Sequence, residues 1–183
     1  MKRRSEAGFS YIDVMAGLVI LMVGILALLS AISGSLLQAK GHEQQLLAKQ
    51  IATSTMESIM SVKETDPTRL GWPAVGNVGT NPNALGVNQG IFINGLQPVF
   101  LNAGPDEVIG TADDNGPQVL GLQRLIVITD VCDPDRPSPI ICTPPGTARV
   151  RIRSVAITII YNVGALQRQE ILTTVLTDYA VTN

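Results

Sequence analysis

The sequence predicts an α+β protein in which one long N-terminal helix, apolar enough to cross a membrane in its first half and amphipathic in its second, packs on a C-terminal antiparallel sheet. Three observations carry this reading. No charged side chain occurs between Asp13 and Lys40. Apolar residues then continue at three- and four-residue spacing with no proline among them, and segments rich in Val, Ile and Thr close the chain.

The first element is set by its flanks. Lys2, Arg3 and Arg4 precede the apolar run, and basic residues in that place hold their end of a membrane segment in the cytoplasm. An ordinary secretory signal has a small-residue cleavage site after its apolar stretch. Here SAISGSLLQAKG runs straight on into HEQQLLAKQIATSTMESIM, so the segment is expected to stay in the chain. Residues 14–39 are long enough to span a bilayer as a helix. Past the membrane, Leu47, Ala48, Ile51, Ala52, Met56, Ile59 and Met60 form a stripe among Glu43, Gln44, Lys49 and Glu57. The helix is expected to run to Lys63, stopped by Asp66 and Pro67. It would then be roughly 80 Å long, less than half of it in the membrane. Glycines 17, 24, 34 and 41 lie along it. They are either points of local melting or small residues that let neighbouring helices approach.

From residue 66 to 121 the composition turns to Gly, Pro and Asn and reads as loop, with short strands at 91–93 and 99–101. The main strand candidates are 122–131, 149–161 and 166–177, the last two joined by a hairpin turn over Asn162, Val163, Gly164 and Ala165. Strands after a long helix predict a sheet packed on the helix's water-soluble half.

The N-terminal residues also carry a likeness. The string KRRSEAG followed by FSYIDVMAGLVILMVGILAL resembles the prepilin signal of type IV pilins and type II secretion pseudopilins: a basic leader, a Gly before the cut, a Phe after it, a carboxylate at the fifth mature position, then the apolar helix. LLAKQIATSTMESIM is similar to the helix of V-type minor pilins and I-type pseudopilins. The resemblance implies the type IV pilin fold, with a leader at 1–8, a transmembrane and filament-core helix at 9–40, its amphipathic continuation at 41–65, and a periplasmic domain at 66–183 divided into a variable loop region (66–121) and a sheet (122–183). It also implies cleavage between Gly8 and Phe9 by prepilin peptidase and N-methylation of Phe9. The chain would be a minor pilin or pseudopilin of the inner membrane, cytoplasmic at its N-terminus. Its partners would be other pilin or pseudopilin subunits, the assembly platform and membrane lipid, and extrusion in a pilus is one fate the resemblance implies.

Asp13 has the sharpest physical meaning. An unpaired carboxylate at the start of a membrane helix costs a few kcal/mol. By the resemblance, its partner is the new amine of Phe9 on a neighbouring subunit, a contact that sets the axial register of one helix against the next. The family carries Glu at this position; Asp is one methylene shorter. The other reading is that Asp13 snorkels to the headgroups.

Cys132 and Cys142 bracket CDPDRPSPIIC. Outside the cytoplasm a disulfide is the natural reading, worth roughly 2 to 3 kcal/mol in the chain-entropy model; two unpaired thiols are the alternative. The segment GPDEVIGTADDNG clusters Asp106, Asp113, Asp114 and Asn115 among glycines. They are a candidate calcium set or a plain solvated turn, and the spacing is not that of an EF-hand. Arg149, Arg151 and Arg153 alternate along one strand. A solvated face or a subunit contact is expected there and DNA binding is not, since no aromatic platform accompanies the row.

Nothing points to an enzyme. His42 is the sole histidine, has no Cys or Ser motif nearby, and no phosphate-binding loop or dinucleotide fingerprint occurs. The competing class is a single-pass anchor holding a periplasmic binding domain outside any filament.

Overall fold

The computed structural model describes residues 10–65, 71–131 and 151–178. In chain order the elements are α1 (Tyr11–Glu64), a single 3₁₀ turn (Trp72–Ala74), β1 (Gln97–Asn102), β2 (Asn115–Asp130), β3 (Ile152–Val163) and β4 (Leu166–Thr177). The strands form one antiparallel sheet in the order β1-β2-β3-β4. The chain divides into two compact units, Met1–His42 and Glu43–Asn183, and α1 runs unbroken through the boundary between them.

In the first unit every residue from 10 to 40 is exposed. Lipid-like surroundings suit such a surface, because the backbone polar groups are satisfied inside the helix. The two serines follow the same logic: Ser33 Oγ donates to Leu29 O at 2.9 Å and Ser35 Oγ to Ala31 O at 3.0 Å. Gly17, Gly24 and Gly34 sit in regular helix, with nothing within 4 Å of an added Cβ.

In the second unit α1 buries one stripe against the sheet. Ala48, Ala52, Met56 and Ile59 are buried as the spacing predicts, with Leu47 and Ile51 half-buried beside them. Met60, expected in the stripe, is 48% exposed, while Thr55 and Val62 are buried instead. Thr55 fits an apolar core because its hydroxyl donates to Ile51 O at 2.8 Å.

Alternation decides the sheet's inner face. Along β3, Arg153, Val155, Ile157, Ile159 and Tyr161 are buried while their neighbours are not. β4 begins and ends at 166 and 177, as expected, and Gly164 opens the two-residue loop before it at φ 60°. β2 departs from expectation by starting at Asn115. Its pairing with β1 shifts register twice, Gly121 takes φ 79° inside the strand, and Pro98 lies in β1. The glycine and proline that read as loop are those of an irregular, bulged edge.

The Gly- and Asn-rich stretch supplies core as well as loop. Trp72, Ala74, Val75, Phe92 and Val108 are all buried. The expected strand at 91–93 is an isolated bridge from Phe92 to Asn77. On β2 beyond the partner of β1's first residue, Asn77 takes over the pairing: its side-chain amide donates to Ile126 O at 2.9 Å and its side-chain carbonyl accepts Ile128 N–H at 2.8 Å.

Candidate functional site

Three places merit a functional reading: the start of α1, the Asp-rich loop, and the arginine at the head of β3. At the start of α1, Ser10 and Asp13 form a reciprocal cap. Asp13 Oδ2 accepts Ser10 N–H at 3.2 Å, and Ser10 Oγ faces Ile12 N–H at 3.4 Å. The box satisfies donors that a helix end leaves open and places a carboxylate at the positive end of the helix dipole. Within its own chain Asp13 therefore caps the helix. The contact uses Oδ2 of the carboxylate. The pattern S-x-x-D before an apolar run signals such a cap and was legible in SYID. Gly8 and Phe9, the expected cleavage and methylation positions, lie outside the described residues, as do Cys132 and Cys142.

The Asp-rich segment commits its carboxylate oxygens to donors of its own loop and to Arg124. Asp106 Oδ1 accepts Val108 N–H at 2.8 Å. Asp113 accepts Thr111 Oγ–H at 2.6 Å and Asp106 N–H at 3.1 Å. The Thr111 hydroxyl, with smaller help from Asp106, holds the Asp113 carboxyl below its usual value. Asp114 accepts Gly110 N–H at 3.0 Å and pairs with Arg124 Nη2 at 2.6 Å, both side chains nearly buried. Asn115 Nδ2 donates to Asp113 O at 3.1 Å. The four residues expected as a calcium set are neighbours, but Arg124 already supplies the cation that Asp114 answers. Among the described residues no three or more His, Cys, Asp or Glu side chains converge on a metal position. A cavity of about 200 Å³ opens beside the pair, with Pro98, Phe100, Thr111 and Ile126 in its wall. Since Asp114 neutralises Arg124, this cavity presents no net charge to attract an ion.

Arg153 corrects the expectation of a solvated basic row. It is 4% exposed, faces the core, donates to Trp72 O, Val75 O and Asn81 Oδ1, and pairs with Asp130 at 3.0 Å. Its guanidinium also lies 4.5 Å from the centre of the Trp72 ring. Only arginine offers enough donors in one plane for that many acceptors. Arg151 lies ahead of β3 and is exposed, and Arg149 is outside the described residues. Alternation alone would pair Arg151 with Arg153, but β3 begins only at Ile152, and the acceptors that bury Arg153 come from residues far away in sequence.

His42 is exposed on α1. Comparison with protein-family models, curated proteins and solved structures finds no match to this chain.

Proposed function

We propose that the chain is a structural subunit of a type IV pilus or type II secretion pseudopilus, a minor pilin or pseudopilin with the type IV pilin fold. The observation that carries this reading is the first half of α1, an apolar helix of which no part is buried within the chain, continuous with a second half that is packed on a sheet. Such a surface needs a solvent or partner of its own kind, and a bilayer and then a bundle of like helices supply both in turn. The basic leader, Gly8, Phe9 and Asp13 add the chemistry of processing and register.

In this reading prepilin peptidase cuts after Gly8 and methylates Phe9. The helix waits in the inner membrane with the sheet domain in the periplasm, and the assembly platform moves the subunit into the filament. The Asp13 carboxylate meets the Phe9 amine of a neighbouring subunit. The chain's role is structural, with no reaction of its own, and the motive force comes from an assembly ATPase outside it.

Mass spectrometry of the N-terminus of membrane-purified protein, from cells that possess the peptidase, tests this directly. The expected chain begins at N-methylated Phe9, and Gly8→Ala leaves full-length protein in the membrane. Wild-type protein that keeps Met1 would overturn the filament reading in favour of a plain membrane-anchored binding domain.

A further inference from the structure

The sheet distributes its charges the wrong way round for a sheet that faces water. In an antiparallel sheet with one covered face, apolar residues point in and charged residues point out. Here Arg124, Asp130, Arg153, Arg168 and Glu170 are the charged residues of β2, β3 and β4. The register puts Arg124 opposite Ile159, Asp130 opposite Arg153, Arg168 opposite Tyr161 and Glu170 opposite Ile159, so all five belong to the face that packs on α1. From Gln123 onward, the opposite face of these strands carries no charge at all. It offers Leu125, Val127, Ile160, Ile171 and Val175 among Thr, Ser, Gln and Asn, and Val127, Ile171 and Val175 are 41%, 57% and 58% exposed.

We infer that this uncharged face is an interface, and that its occupant is the same face of a second copy of this chain. Depletion of charge marks the centre of protein interfaces far better than apolarity alone. A face without charge has no electrostatic means of selecting a charged partner, and a charged partner would lose hydration there without gaining a counter-ion. Its own duplicate meets it without that penalty, in the two-fold arrangement that most pairs of like subunits adopt. Extent agrees. Three strands about 4.8 Å apart, nine to a dozen residues long at about 3.3 Å each, cover on the order of 500 Å². Two such faces together bury on the order of 1,000 Å², the size at which specific interfaces begin. Sheets stacked in this way interdigitate their side chains at about 10 Å separation, to which Ile, Val and Thr are well suited. The pairing goes beyond the filament reading and does not depend on it.

Photo-crosslinking of the full chain in detergent micelles tests the proposal. A benzophenone amino acid at Thr173, in the middle of the β4 part of the face, is expected to give a covalent band of twice the chain mass. Ile171→Lys combined with Val175→Lys should lower that band at least about tenfold, because unpaired charges would have to be buried at the contact. Leu85→Lys, at an exposed residue outside the sheet, should leave it unchanged. Circular dichroism melts establish that the variants fold. Absence of the band, its persistence in the double lysine variant, or crosslinking in cells to a different protein alone would each overturn the proposal.

Discussion

The two halves of α1 are one helix in two surroundings. From residue 10 to 40 every side chain is exposed, and the helix depends on its own hydrogen bonds, its Ser10/Asp13 cap and serines folded back on carbonyls. From 43 to 64 one stripe, including Ala48, Ala52, Thr55 and Ile59, is buried against the sheet domain. The difference teaches that secondary structure alone does not say what stabilises a helix. The first half is chosen for an environment outside the chain, the second for a surface within it.

Mutation can break the comparison from the second half's side. The largest effect is expected in the platform under it: Asp114→Ala leaves Arg124 buried without its counter-ion, a loss of about 3 to 5 kcal/mol. Denaturant unfolding of the full chain in detergent, followed by Trp72 fluorescence, reads it. Ile59→Ala removes a fully buried side chain from α1 and should cost about 2 to 5 kcal/mol in the same measurement. Leu29→Ala, an equal change on the exposed half, should leave that unfolding curve in place. If Leu29→Ala costs as much as Ile59→Ala, the halves are not independent in the way described.

Smaller effects sharpen the picture at the ends. Ser10→Ala removes one side of the cap and should weaken the first turn by about 1 kcal/mol, read as faster amide exchange at Ile12 and Asp13 with no change beyond residue 43. The smallest effect is expected from pH. The Asp113 carboxyl is held low in the folded chain, so its contribution is complete above the unfolded value and is lost as pH falls through the folded one. NMR titration of the Asp106 and Thr111 amides should show the loop loosening only in acid, and Thr111→Val should move that transition upward in pH.

Much of the fold was legible in the sequence because its elements follow strict periods. The end of α1 and the bounds of β4 fell within a residue or so of expectation, since i, i+3, i+4 spacing and Val/Ile/Thr alternation report burial directly. The beginning of β2 was not legible, because Gly121 and Pro117 break the alternation where the strand bulges. Trp72 and Phe92 were not foreseen as core, since they lie in irregular chain that has no period to read. Among candidate site residues, Asp13 stands out in the sequence for its charge, whereas its capping partner Ser10 is signalled only by the S-x-x-D spacing. In the Asp-rich segment Asp106, Asp113 and Asp114 lie in loop, while Asn115 already opens β2. The segment's chemistry turned on Arg124, which only the sheet brings alongside Asp114.

Asn77 has a consequence for how the sheet meets other chains. By occupying Ile126 O and Ile128 N–H it answers two backbone groups that an extended peptide would otherwise seek. A single carboxamide thus acts as a plug on that rim, sparing the molecule an open docking strip next to β1 without the cost of another strand. Along that stretch recognition by bare main chain, which cannot discriminate between sequences, is closed off.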